Sequence, residues 1–501
     1  MAADKNELKL VFPALMLALS LAALDQNIVG TALPLIVSEL GGLSHISWVV
    51  TAFLLASTAT TPLYGKLSDL FGRRPLFLTA ITIFLLGSAL CGLSRTMLQL
   101  IVFRGIQGLG AGGLMTLAQT TIADLIPPRQ RGRYQGVFGA VFAACSVAGP
   151  LLGGLITDAL SWRWVFYVNL PVGAAALALI WIGLKPRQHD RKPVIDYAGA
   201  GLLTAATSCI LLVLSWGGSL YPWYSQVILG LTAAAVFLVF ALIWQENHAA
   251  EPILAPRLFR NRVFQIGASV ISLNATALFG AMIFLPLFFQ LVMGQSPSRS
   301  GLLMAPLMGG VIVSSVVSGR LVSRTGRYKL LTIWGLAVAT ASLLWLAWCA
   351  RQAQTPAEMV VGLVTLGVSL GLVMPNLTVA IQNAVEMRDL GSATSTSAYF
   401  RSLGGAVGAA IAGALLNLGL ARSFASGGVD LAILDKGIAE MTHLPAAQLQ
   451  VVMLGYREAI GANLEACAAV AALACALTWL LPELPLRGAE SSPGLPALQE
   501  N

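Results

Sequence analysis

The chain has 501 residues, of which 57% are hydrophobic and 10% charged, with a formal net charge of +8. A soluble protein carries roughly 25% charged residues, so this composition excludes a water-soluble globular fold. The apolar runs are long and do not alternate, which favours spanning helices over a membrane β-barrel.

A spanning helix needs about 20 apolar residues. Fourteen such runs are expected, near 10–35, 46–68, 75–94, 97–123, 134–158, 164–184, 197–216, 224–244, 263–290, 298–319, 330–350, 357–381, 393–417 and 459–481. The first follows Lys5 and Lys9, as a signal peptide would, but it continues past Leu35 and others follow. It is therefore read as an uncleaved first helix. Asp25 is the only carboxylate placed deep in a run; Asp69, Asp124, Asp158 and Asp196 sit near run ends.

Between the second and third runs lies Gly65–Lys66–Leu67–Ser68–Asp69–Leu70–Phe71–Gly72–Arg73–Arg74–Pro75, a turn dense in charge and glycine. It returns half a chain later as Gly319–Arg320–Leu321–Val322–Ser323–Arg324–Thr325–Gly326–Arg327–Tyr328–Lys329. The glycine spacing is kept, Lys66 becomes Arg320, Arg73 matches Arg327, and Ser323 replaces the acid. A repeated basic turn in a hydrophobic chain points to duplicated membrane halves. The copies follow runs 2 and 10. Two six-helix halves, 10–184 and 263–482, then leave a segment 185–262 carrying two inserted helices.

With the N-terminus in the cytoplasm, Lys and Arg in cytoplasmic loops outnumber those in outer loops roughly three to one, and that bias sets the orientation. An even helix count puts both termini on the cytoplasmic side. The same asymmetry accounts for the net charge without any nucleic-acid partner. The outer loop 418–457 is the longest connection; Leu431–Ile438 and Ala446–Tyr456 read as short helices at the outer interface, with an irregular loop as the alternative. The tail 483–501 reads as disordered. The six cysteines lie in apolar runs with no CxxC pair, and the four histidines form no ligand spacing. No metal site and no cofactor are expected. No phosphate-binding glycine loop is present, so ATP hydrolysis is not the expected driver. Trp162, Trp164, Trp216 and Trp223 read as interface anchors.

Four motifs resemble the major facilitator superfamily, and within it the fourteen-helix branch of drug:proton antiporters. Gly65–Arg74 resembles the superfamily's loop signature. Leu24–Asp25 through Ala32–Leu33–Pro34 resembles the first-helix signature of that branch. Arg104–Gly105–Ile106–Gln107–Gly108–Leu109–Gly110 resembles the helix-4 signature, and Gly149–Pro150–Leu151–Leu152–Gly153–Gly154 the helix-5 antiporter signature. Trp162–Arg163–Trp164 and Asn169–Leu170–Pro171 are also similar to this branch. Asn27, Gly30 and Cys145 depart from the branch pattern, which leaves substrate specificity open. The resemblance implies an all-α integral membrane fold of two six-helix bundles plus two inserted helices. It also implies alternating access and a role for Arg104 in proton coupling.

The residues supply their own chemistry. A charge at the bilayer centre costs about 2.5–3.5 kcal/mol on insertion scales. Asp25 is therefore expected to line a wet cavity, where it binds and releases protons and anchors cationic substrates. The alternative is a carboxylate bonded to a neighbouring helix. Arg104 lies about 10 Å and Asp25 about 15 Å from the outer ends of their helices at 1.5 Å per residue, so the two are within reach. Gln107 shares the Arg104 face and is, with Asp25, a candidate cavity residue of the first half. Asn274, Gln290 and Asn376 are candidate cavity residues of the second half, and each alone is more often an interhelical hydrogen bond. Gly149, Pro150, Gly153 and Gly154 let helix 5 approach a helix of the other half and kink. Gly65, Asp69, Gly72 and Arg73 read as a conformational latch, Asp69 pairing with helix termini across the halves.

The expected function is proton-coupled export of hydrophobic or amphipathic, cationic or neutral compounds across a bacterial cytoplasmic (inner) membrane. A dedicated exporter of one metabolite, lipid or antibiotic is the alternative. The helix-5 motif argues against an importer, and the intact Asp25 and Arg104 against a non-transporting scaffold. Lipid, protons and small compounds are the expected partners, and a periplasmic adaptor is left open.

Overall fold

The computed structural model describes residues 5–41, 45–186, 194–218, 220–352, 355–427 and 446–486. Among these residues, fourteen helices are long and apolar enough to cross a membrane. In the first half these are α1 (Lys5–Leu40), α2 (Ile46–Phe71), α3 (Arg73–Leu93), α4 (Met97–Leu125), α5 (Pro128–Ala159) and α6 (Trp164–Gly183). The inserted pair is α7 (Tyr197–Trp216) and α8 (Gln226–His248). The second half holds α9 (Arg262–Leu291), α10 (Pro297–Thr325), α11 (Lys329–Gln352), α12 (Pro356–Ala384), α13 (Leu390–Gly427) and α14 (Ala446–Trp479).

Several starts are set by side-chain caps, which satisfy backbone donors that a helix leaves free. Thr96 accepts from Gln99 N, Ser225 from Ile228 N, and Asn261 from both Val263 N and Phe264 N. Thr355 and Glu358 form a reciprocal capping box. The two basic turns both break at a glycine of positive φ. Gly72 ends α2 at φ 89° and Gly326 ends α10 at φ 72°, and each N–H returns to the preceding helix, at Ser68 O and Val322 O. Only glycine takes that left-handed backbone without cost, which is why the glycine spacing is kept in both copies.

The halves repeat one packing scheme. Helix α1 packs on α5 and α6, α4 on α2 and α3, and α3 on α6; eight helices later α9 packs on α13 and α14, α12 on α10 and α11, and α11 on α14. The halves meet where α2 crosses α13 and, by the same repeat, where α10 crosses α5. The inserted helices pack on each other, and α7 lies against α2 and α13, along one of these seams. Phe237, Phe240 and Trp244 of α8 are exposed, as a lipid-facing helix requires.

Three expectations need correction. Ala446–Tyr456 is no separate interfacial helix; it is the first third of α14, and α13 likewise runs on to Gly427. Leu431–Ile438 lies outside the described residues. The tail 483–501 is ordered at its start: Leu484 N donates to the Tyr328 hydroxyl at 2.8 Å, Asn383 Nδ2 donates to Pro485 O, and Leu486 is buried. Residues 487–501 lie outside the described residues. Trp162 is no interface anchor either, being buried with its indole N–H on Glu39.

Candidate functional site

Asp25 comes from the middle of α1, where it faces α3, α4 and α6. Arg104 Nη1 donates to Asp25 Oδ2 at 2.6 Å. Gln107, one turn further along α4, donates from Nε2 to Asp25 Oδ1 at 2.8 Å, and its Oε1 accepts from Arg104 Nη1 at 2.7 Å. Asn169 Nδ2 of α6 donates to Asp25 Oδ1 at 3.0 Å. Ser88 Oγ of α3 accepts from Gln107 and Asn169 and donates to Phe166 O. Arg104 also donates to Val49 O and lies over the Phe53 ring at 4.1 Å. Three donors and no acceptor converge on Asp25, an arrangement complementary to its ionised form.

This network is sealed. Asp25 and Gln107 are 0% exposed and Arg104 2%, so neither Asp25 nor Gln107 lines a wet cavity in this conformer. Two charges leave water without severe cost only when paired and fully hydrogen-bonded, and this pair is both. Ser88 and Asn169 escaped notice as site residues in the sequence. Asn169 did carry a signal, opening Asn169–Leu170–Pro171 just after the break in α6 at Val168; Ser88 carried none.

The second-half candidates are not brought to this site. Asn376 is buried between helices, exchanging hydrogen bonds with Ser318 of α10. Asn274 is 1% exposed inside the second half, and its Nδ2 has no hydrogen-bond partner among the described residues. Gln290 is half-buried near the end of α9. Neither Asn274 nor Asn376 lines an open cavity here, since both are buried.

The helix-5 signature also differs from expectation. A Cβ on Gly149 would lie 2.6 Å from Asn27 Cβ, and one on Gly153 2.9 Å from Ile28 O. The signature therefore packs on α1 of its own half, beside Asp25, while Gly154 meets nothing within 4 Å. The contact of α5 with the other half lies at its opposite end, where Gly132 and Gly136 meet Gly319 and Ser315 of α10.

The basic turn holds the halves together at that same end. Asp69 Oδ1 accepts from Gly391 N at 2.9 Å, and Oδ2 from Ser392 N at 2.8 Å. These are free donors in the first turn of α13, where a helix favours negative charge. Arg73 binds Asp69 at 2.8 Å and Asp124 at 2.9 Å. Gly65 lets α2 reach α13: its Cβ would lie 2.6 Å from Gly391 O. In the second copy Ser323 Oγ accepts from Arg133 N of α5 at 3.2 Å, a neutral counterpart of Asp69. Arg131 is buried, donating to Ala123 O and Ile126 O at the end of α4 and to Gln382 O across the halves. The strap after α8 joins this end. Lys66 pairs with Glu251 at 2.5 Å, Arg257 with Asp389, and Asn261 Nδ2 donates to Ala384 O.

Glu251 lies beyond the spanning segments, and its hydrogen bond to Lys66 holds its carboxyl below the usual carboxylate value of 4.5. A depressed carboxylate stabilises the fold above its ordinary value, and that contribution is lost as pH falls through the folded value. Glu251→Gln is therefore expected to flatten the acid limb of the melting-temperature profile below about pH 4.5. A limb identical to wild type would mean that the strap contact contributes nothing in solution.

The sequence profile of the Major Facilitator Superfamily matches residues 15–409. The chain belongs to this superfamily. Membership makes it a transporter and not an enzyme. The multidrug transporter protein MdtP of Bacillus subtilis is 42% identical over 81% of this chain and 75% of its own length. Multidrug resistance protein 3 of the same organism is 38% identical over 82% of this chain and 80% of its own length. The crystal structure of the human organic anion transporter MFSD10 superposes with a TM-score of 0.63 at 16% identity, covering 95% of this chain and all of that one, which shows the shared facilitator fold.

Proposed function

We propose that this facilitator is a proton-coupled antiporter that exports hydrophobic or amphipathic compounds by alternating access. The observation that carries the reading is the sealed Asp25–Arg104 pair at 2.6 Å. An ionised pair inside a spanning bundle is costly and is the natural place for a transported proton to act. The names of the two Bacillus relatives support efflux of drugs. The Lys and Arg bias assigns the basic end to the cytoplasm of a bacterial inner membrane. On that assignment this conformer is closed to the cytoplasm, and its proton comes from outside.

A proton reaching Asp25 turns an acceptor into a donor. Arg104 then loses its counter-charge, and the donors of Gln107 and Asn169 face a neutral, weaker acceptor. The network must rearrange, and α1 and α4 carry that change to the neighbouring helices. Helix α5 is one of them, since its Gly149–Gly154 signature packs on α1 and its other end forms the contact with α10. One proton driven by about 100 mV supplies about 2.3 kcal/mol, which sustains roughly a fifty-fold gradient of a neutral substrate.

Drug-induced proton movement in proteoliposomes tests this, across a panel of lipophilic cations and neutral amphiphiles. Wild type is expected to release protons on drug addition and Asp25→Asn is not. If the variant still exchanges protons, another carboxylate carries the coupling. If no compound moves protons in wild type, the dedicated-exporter reading of the same scaffold takes its place.

A further inference from the structure

The inserted helices carry a buried acid that the Asp25 site does not use. Asp196 caps α7: its Oδ1 accepts from Gly199 N at 2.8 Å and from Gln245 Nε2 at 2.9 Å. Glu246, in the last turn of α8, accepts from Leu254 N through Oε2 at 3.1 Å and is 5% exposed. Each carboxyl thus spends one oxygen on the local backbone. The other oxygens, Asp196 Oδ2 and Glu246 Oε1, are buried and have no hydrogen-bond partner among the described residues. Both lie beside Gly199, whose Cβ would sit 2.3 Å from Oδ2 and 3.2 Å from Oε1, so the two oxygens are neighbours across that glycine. Two unpaired acceptors meeting out of water call for a missing donor.

The surrounding charges among the described residues do not supply it. Lys66 of α2 is the cation that faces Glu246, and it is taken by Glu251 of the strap. Arg257 is taken by Asp389. Tyr399 of α13 bonds Thr207 of α7, and His248 bonds Trp244 O on its own helix. No group of three or more metal-ligating residues exists among the described residues. We propose that Asp196 and Glu246 bind one proton between them, making the inserted helix pair a second proton site, separate from Asp25. The proton comes from water, sits on one of the two free oxygens and donates to the other, leaving a net charge of −1 on the pair. Two close carboxyls that share a site do not both ionise freely. The site lies against the α2–α13 seam and beside the latch lysine. Loss of its proton sets two like charges at the α7–α8 corner, next to the Lys66–Glu251 contact.

Infrared spectroscopy of the full chain in nanodiscs at neutral pH, with exchange into D2O, reads the carbonyl band of protonated carboxyl groups. Wild type is compared with Glu246→Gln, Asp196→Asn and Asp25→Asn. Asparagine caps a helix as well as aspartate, so α7 keeps its start, and each variant is a test in its own right if the other fails to fold. Both Glu246→Gln and Asp196→Asn are expected to lose the same band, worth one protonated carboxyl per chain, and Asp25→Asn to retain it. A band intact in Glu246→Gln overturns the proposal and leaves a buried water as the donor. A band lost in Glu246→Gln but kept in Asp196→Asn also overturns it, since the proton would then belong to Glu246 alone. The readout needs no transport, so it is independent of whether Asp25 couples drug to proton.

Discussion

Arg104→Met is expected to cost about 3–5 kcal/mol of stability, and adding Asp25→Leu is expected to restore most of it. The single substitution leaves Asp25 0% exposed with only the amides of Gln107 and Asn169 as donors. Those amides cannot balance a full charge in a medium without water. Removing both charges removes the imbalance, and replacing a buried pair with apolar side chains is often neutral or stabilising by about 1–4 kcal/mol. Unfolding midpoints in detergent for the four proteins of the cycle give the coupling directly. A single-variant loss under about 1 kcal/mol would mean that water reaches the pair. The double variant also separates fold from function. If it is as stable as wild type and moves no protons, the pair is retained for transport at the expense of stability, as functional sites commonly are.

Much of this arrangement was legible because membranes make some features conspicuous. Each spanning run exceeds the bilayer thickness, so the fourteen helices stand out without a structure. Asp25 and Arg104 stand out because charges within spans are rare, and helix geometry alone put them within reach of each other. The repeated turn was legible as a pattern, and the positive φ of Gly72 and Gly326 supplies its physical reason.

Direction was what the sequence withheld. Small residues in α5 announced a close helix approach, yet not whether the neighbour was α1 or a helix of the other half. Both occur, at opposite ends of one helix. Asn274 and Asn376 are polar and intramembrane, but nothing in their spacing says which helix they face. Arg131, near the start of α5, turns back to free carbonyls at the end of α4, a common site for arginine. The Asp196–Glu246 corner was invisible because the two acids are far apart in sequence and only the antiparallel pairing of α7 with α8 brings them together.

Gly319→Ala is expected to open the basic end. A Cβ on Gly319 would lie 2.1 Å from Gly132 O, a backbone atom that no rotamer change can move aside. Helices α5 and α10 must therefore separate, and overpacking of this kind costs about 1–3 kcal/mol. The cost falls on the closed conformer alone, since a conformer open at this end has already parted these helices. A differential of that size shifts the equilibrium about 5- to 150-fold toward opening. Ser323→Cys reports the change, because Ser323 bonds Arg133 N at the same crossing. Its labelling by a membrane-impermeant thiol reagent from the basic side is expected to rise when Gly319→Ala is added, above the background of the six native cysteines. Drug efflux is expected to fall by at least tenfold, because a cycle that cannot close this end cannot complete. Gly154→Ala is the control: its Cβ meets nothing within 4 Å, so labelling and efflux should match wild type. If Gly319→Ala also matches wild type in labelling, the crossing yields without opening, and the seal lies with Asp69 and the first turn of α13 instead.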